Sequence, residues 1–414
     1  MKIAISGDFV IRSGSVANPM DLVPDASVEA EVLGEFDYRL VNLEGPVLAR
    51  NTKAKPTAKC GPILRMDDAI WDVLRKMGVD GVTTANNHIG DYGPVGIIDT
   101  MNGARKHGIE FFGSGLNFDH AYGLRMIDVG GEKLAILAVN EHDGAILHER
   151  EPTPAFLDLG RLAKNITQAR FQEIPVLVYY HGGNQHCPLP NPYMRNLFRR
   201  LVDLGASAVV ATHAHCPQAW EVYRKAPLFY GLGNFCLIGR KDSKHGISFQ
   251  LKRKLLHILG RGFPPVKELA KKSHEYGLTV VLEFNGGSVT VSKIRFSRFT
   301  VDDGLKWIHD DEHLSCVKRI KEINDILIDD KHYGKVWDAW CHILTPQHLS
   351  MIQRNLAGGK MIFSKDFRKR ISIANRFGCE STRTMILDYL TRKKPPSSDM
   401  LDKTVELMGL WNDD

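Results

Sequence analysis

Short apolar, β-branched runs recur through the first half of the chain, and five of them end on side chains that bind cations. Ile3–Ser6 is followed by Gly7 and Asp8. Tyr38–Leu43 carries Asn42 and leads into Glu44. Gly81–Thr84 leads into "ANNHIGD", with Asn86, Asn87, His88 and Asp91. Val176–Tyr180 leads into His181, and Ala208–Ala211 into "THAH", with His213 and His215. In α/β sheets, ligand sites gather at the carboxyl ends of strands. Carboxylate, carboxamide and imidazole groups are the oxygen and nitrogen donors that Mn, Fe, Zn or Mg ions accept. Each residue has an ordinary structural explanation on its own. An Asp after Gly is a turn or cap residue, Asn tolerates left-handed backbone, and a lone His is commonly a satisfied core residue. Their joint placement at strand ends predicts convergence on one or two divalent metal ions. His213 and His215 lie one residue apart after a strand, so each can serve a different ion, with Glu44 as the carboxylate between them.

The strand candidates continue with Glu110–Phe112, Leu124–Val129, Leu134–Val139 and Leu228–Gly231. The first ones alternate with helical patterns at Asp67–Met77 and Val95–Lys106, which predicts an α/β layered fold. "VGGEK" and "NGG" sit between alternating runs and predict hairpins, the second spanning Thr279–Phe296. Strand order is therefore not purely parallel. A basic stretch with a Pro-Pro break reads as a helical insertion at about residues 250–275, either a solvated helix or a cationic lid. From Asp302 onward only helical spacing remains. The expected organisation is one α/β unit over 1–300 and an α-helical C-terminal region over 301–414.

The 54 Lys+Arg against 48 Asp+Glu give a net charge of only +6 over 414 residues, which does not argue for nucleic acid. No apolar run approaches the ~20 residues of a transmembrane segment. The seven cysteines are scattered and never form CxxC. That pattern suits reduced thiols and a cytoplasmic setting.

In this order, "GD", "NLEGP", "ANNH" with Asp91, the lone His181 and "THAH" resemble the poly-γ-glutamate capsule-biosynthesis (CapA-type) proteins, a branch of the calcineurin-like metallophosphoesterase superfamily. The resemblance covers roughly Met1–Ile238 and implies a metallophosphatase-like αββα sandwich with mixed sheets. By that resemblance, Asp8 and His215 hold a first metal, Asn87, His181 and His213 a second, and Glu44 bridges them. His88 then protonates the leaving group, helped by Asp91, while Asn42 and Asn86 line the substrate. His186 reads as a rim residue. The sequence departs from the superfamily pattern at Val10, where an imidazole is usual, and at "HGG", where the family often has "HWG".

The function implied is a metal-dependent hydrolase acting on an anionic substrate, either a phosphoester or a cell-surface polymer linkage, in capsule or poly-γ-glutamate biosynthesis. A non-catalytic assembly component of a polymer-synthesis system is the alternative. A nuclease ranks below both, because aromatics are not interleaved with the cations.

Overall fold

The first strand, Lys2–Ile11, is buried along nearly its whole length and alternates its side chains between two cores. Ile3 and Ile5 face one hydrophobic cluster and Ala4 the other, as the period of two requires, and the irregular register around Asp8 then turns Phe9 and Ile11 to Ala4's side. A strand buried on both faces needs a layer on each side. The computed structural model supplies them; it describes residues 1–59, 61–144, 151–238, 272–356, 378–392 and 394–411.

Lys2–Ile11 lies inside an eight-stranded sheet, between Tyr276–Asn285 and Tyr38–Leu43. Gly81–Thr83 and Glu110–Phe112 extend the sheet on one side, and Ser288–Thr300 and Gly304–Trp307 on the other. Its first half pairs antiparallel with Tyr276–Asn285, while Asp8–Ile11 pairs parallel with Asn234–Ile238. A second, six-stranded sheet runs Trp220–Tyr223, Ala226–Phe229, Ala208–Thr212, Val176–His181, Glu132–Asn140, Arg125–Val129. Its four inner strands are parallel. Helices Ile70–Lys76 and Gly93–Lys106 cover the outer face of the first sheet. Leu159–Phe171 and Pro192–Leu204 pack their apolar residues into the core of the second. The fold is the metallophosphatase-like αββα sandwich with mixed sheets.

Both expected hairpins form. Gly130 and Gly131 turn one, and Gly286 and Gly287 the other, all four at positive φ as a two-residue hairpin turn demands. The second hairpin is longer than expected, Tyr276 to Thr300. The basic insertion falls largely on residues 239–271, outside the described residues.

Beyond residue 301 the described secondary structure, after the short strand Gly304–Trp307, is helical: Asp310–Ile328, Asp330–Leu356, Glu380–Thr391 and Ser398–Met408. These helices share a hydrophobic cluster with the second sheet. Cys316, Ile323, Trp340 and Trp411 belong to the cluster that holds Val178 and Val210. Trp411 packs 5.1 Å from the Tyr276 ring. Among the described residues no helix is long and apolar enough to cross a membrane.

Candidate metal centre

Asp8 is placed by a change of strand partner. A Cβ on Gly7 would overlap the Gly233 carbonyl, so only glycine lets the two backbones close up there. The Asp8 amide donates to that carbonyl at 3.0 Å. The apolar run ends at Ser6, but the strand continues to Ile11 with irregular register at Asp8, so the carboxylate leaves from within the strand and points between the sheets. One Asp8 oxygen accepts from the Asn42 amide at 2.7 Å and the other from the His213 backbone N–H at 3.2 Å. Burial still raises its pKa, against the pull of His215.

Glu44 follows directly on the neighbouring strand, its N–H donating to the Phe9 carbonyl at 3.1 Å. It is fully buried, and neither carboxylate oxygen has a hydrogen-bond partner among the described residues. Burial, then the charge of Asp8, push its pKa well above the usual carboxylate range. Oε1 lies 3.6 Å from His181 Nε2 and 3.9 Å from His215 Nε2.

His181 closes its strand, and Thr212 Oγ1 lies 3.0 Å from its Nδ1. Its Nε2 faces Asn87 Oδ1 at 3.1 Å and His213 Nδ1 at 3.2 Å. His213 and His215 both have positive φ, 95° and 54°, unusual for residues with a Cβ and typical of functional sites that hold strain. Burial holds both buried imidazoles in the neutral form, His181 well below its usual pKa and His213 at about 4, so their lone pairs are available. His215 Nδ1 sits 2.9 Å from Asn234 Oδ1. The Asn234 amide nitrogen donates to the His274 carbonyl, which fixes that oxygen as the acceptor and leaves His215 Nε2 for a ligand.

Two overlapping donor groups result, Glu44–His181–His213 and Asp8–Glu44–His215. Within each, the ligand atoms lie within 4.8 Å of one another. Asn87 adds a carboxamide oxygen to the first. Neutral imidazoles converging on an unpartnered buried carboxylate leave a cost that a divalent cation removes, and this mixed nitrogen and oxygen set suits Mn, Fe or Zn. The residues fit the group that the resemblance implies.

Beside this cluster, His88 Nδ1 is 2.8 Å from Asp91 Oδ2. Lys59, which no sequence pattern singles out, buries its ammonium here. It donates to Asp91 at 2.6 Å and to the Asn87 carbonyl at 2.8 Å, and lies 3.1 Å from His88 Nδ1. Burial, then Lys59, lower the His88 pKa. Asn42 and Asn86, expected at the substrate, spend their amides inside the protein. Asn42 holds Asp8, and Asn86 caps the turn by accepting from the His88 and Ile89 N–H groups. His186 is half-buried, with its ring 6.2 Å from that of His215.

Residues 2–237 match the family model described as bacterial capsule synthesis protein PGA_cap. The chain belongs to this family. It is 29% identical over 209 residues to the capsule biosynthesis protein CapA of Bacillus anthracis, covering 49% of this chain and 51% of that protein. It is 29% identical over 202 residues to the PGA biosynthesis protein CapA of Bacillus subtilis, covering 48% and 53%. A probable polyglutamine synthesis accessory protein of Mycobacterium tuberculosis is 25% identical over 241 residues, covering 54% and 61%. The chain spans about half the length of the CapA relatives it matches.

For a PGA_cap member, the matched segment contains every donor above and Asn234. The hairpin Tyr276–Thr300 and the C-terminal helices lie beyond it. Within "HGG", a Cβ on Gly182 would come within 2.6 Å of Glu141 Cγ, so the glycine leaves room for that side chain.

Proposed function

We propose that this PGA_cap-family chain is a metal-dependent hydrolase that works in the synthesis of a capsule-type or poly-γ-glutamate polymer, cleaving a phosphoester or an anionic polymer linkage. The observation that carries the reading is Glu44: a buried carboxylate with no hydrogen-bond partner among the described residues, set between two groups of neutral or acidic donors. Asp8, Glu44 and His215 would hold one ion, and Glu44, Asn87, His181 and His213 the other. Ions held there activate water and neutralise charge on the reacting group.

The chain's own residues do the rest. The Lys59 ammonium, held by Asp91, only donates, so with Nδ1 accepting from it the proton of the neutral His88 ring sits on Nε2, available to the departing oxygen. Asn42 keeps Asp8 oriented, Asn86 keeps the His88 turn in place, and both act as positioning residues rather than substrate contacts. Residues 1–300 form the reacting unit in this reading, and 301–414 a helical region packed on it.

A non-catalytic assembly role is the second reading. Val10 favours it, because it leaves the first ion without the imidazole usual there.

The test combines elemental analysis of the purified chain with a screen of phosphomonoesters, phosphodiesters and γ-glutamyl amides. Bound metal with turnover is expected. His88→Gln should keep the metal and lose about 10²–10⁴-fold in rate, whereas His213→Ala should lose metal. Metal without turnover of any probe supports the assembly role. Undiminished metal in His213→Ala overturns the site.

A further inference from the structure

Directly after strand Glu132–Asn140 comes Glu141, 2% exposed, whose N–H donates to the His181 carbonyl. A buried carboxylate requires donors, and Glu141 collects them from two distant parts of the chain. Oε1 accepts from Tyr180 Oη at 2.8 Å, the Gly183 N–H at 3.1 Å and Ser381 Oγ at 2.5 Å. Oε2 accepts from the Ser381 N–H at 3.2 Å and Cys379 Sγ at 3.4 Å. Ser381 Oγ in turn accepts from the Asn191 amide at 2.8 Å. The next residue repeats the attachment. The His142 N–H donates to Glu380 at 3.0 Å, and its ring Nδ1 lies 2.6 Å from the same carboxylate. Two consecutive residues of the loop are thus fastened to the first turn of helix Glu380–Thr391.

The following residue reaches the metal donors. Asp143 Oδ2 accepts from Asn87 Nδ2 at 3.2 Å and lies 3.9 Å from His213 Nε2. A carboxylate only accepts, so it fixes the Asn87 amide with nitrogen outward and Oδ1 toward His181. It also favours the proton of neutral His213 on Nε2, leaving the Nδ1 lone pair facing the other donors. Gly144 then passes close under Asn87. Its φ is 103°, and a Cβ there would overlap the Asn87 carbonyl.

We infer that Asp143 is a positioning residue for the second metal, and that the N-terminal turn of helix Glu380–Thr391 holds it in place, so that the C-terminal region outside the family-matched segment helps build the metal centre. The inference rests on the two-metal reading above. Loss of a carboxylate that orients a metal ligand typically weakens affinity about 10–100-fold. The effect should fall on the ion held by Asn87, His181 and His213, because the two side chains that Asp143 orients, Asn87 and His213, serve that ion alone.

The experiment is Co²⁺ titration of the full chain against a competing chelator, with the cobalt visible spectrum recorded at each equivalent. In Asp143→Ala, one equivalent should weaken about 10–100-fold with an altered spectrum, while the other keeps wild-type affinity. Asp143 is partly exposed at its side chain, 23%, so its truncation leaves the packing intact. Ser381→Val should weaken the same equivalent, and Ser381→Thr, which keeps the hydroxyl, should restore it. Two wild-type equivalents in Asp143→Ala overturn the inference and leave the metal reading standing. Equal weakening of both equivalents also overturns it, as a general loss of structure. A wild-type chain that binds no cobalt overturns both.

Discussion

Glu44→Gln tests the centre of the site with opposite expectations for the metal-free and metal-loaded chain. In the metal-free chain, both oxygens of Glu44 are buried without partners among the described residues, and its pKa is raised well above normal, first by burial and then by Asp8. A carboxylate raised in the fold costs stability once pH climbs above its unfolded value of about 4.3. The amide of Gln carries no charge and offers an N–H toward His215 Nε2, 3.9 Å from the present oxygen, and a carbonyl oxygen toward His181 Nε2, 3.6 Å away. Relief of a buried unsatisfied group is worth about 1–3 kcal/mol, so the metal-free variant should melt higher than the metal-free wild type near neutral pH. With metal the order reverses. At a concentration of about 100 Kd, metal stabilises wild type by about 2.7 kcal/mol. Loss of the shared ligand should weaken binding by at least the ~100-fold that a supporting residue costs. The same metal concentration then gives RT ln 2, about 0.4 kcal/mol. With an unfolding entropy of about 2.1 cal/mol/K per residue over 414 residues, each kcal/mol moves the melting temperature by about 1 °C, so a metal-induced rise of about 3 °C shrinks to about 0.5 °C. Differential scanning fluorimetry with and without Mn²⁺ or Zn²⁺ after chelation reads both signs. A variant that melts lower without metal, yet keeps the full metal-induced rise, refutes Glu44 as a shared ligand.

Gly7→Ala should lower both stability and metal occupancy, since the added methyl overlaps the Gly233 carbonyl and must push Asp8 off its position; unchanged melting and metal content would show that the two strands separate freely. Trp411→Ala, at a residue 1% exposed and packed on Tyr276, should cost about 3–5 kcal/mol in denaturant unfolding. Trp411→Phe should cost far less, because the indole N–H has no hydrogen-bond partner among the described residues. Equal losses in the two variants would contradict a purely packing role.

The donor set is legible in the sequence because each member stands at the end of a short apolar run, and parallel strands present those ends together. Asp8, Glu44, Asn87, His181, His213 and His215 all lie in or beside the one cluster. What is not legible depends on partners remote in the chain. The first strand outruns its apolar run because Asn234–Ile238 and Tyr276–Asn285 each pair with one half of it, and no local pattern announces such pairing. Lys59 sits in a segment without strand or helix, as a single lysine among several. Asn234, Asp143 and Ser381 are isolated polar residues whose use appears only when residues far apart in sequence meet. Asn42 and Asn86 have the right address, but their amides brace the donors.

The two donor groups are unequal, and the inequality follows from a single residue. Val10, buried in the first strand, offers no donor, so the first group consists of Asp8, Glu44 and His215. The second has Glu44, His181 and His213, with the Asn87 oxygen 3.1 Å from His181 Nε2, and Asp143 behind two of these. Sites with four protein donors are closed and retentive, while three-donor sites keep positions open for water or substrate. In the proposed reading the second ion is therefore the tighter, organising one and the first is the exchangeable, reactive one. The better-built half is also the half that the C-terminal helix secures through Glu141 and His142.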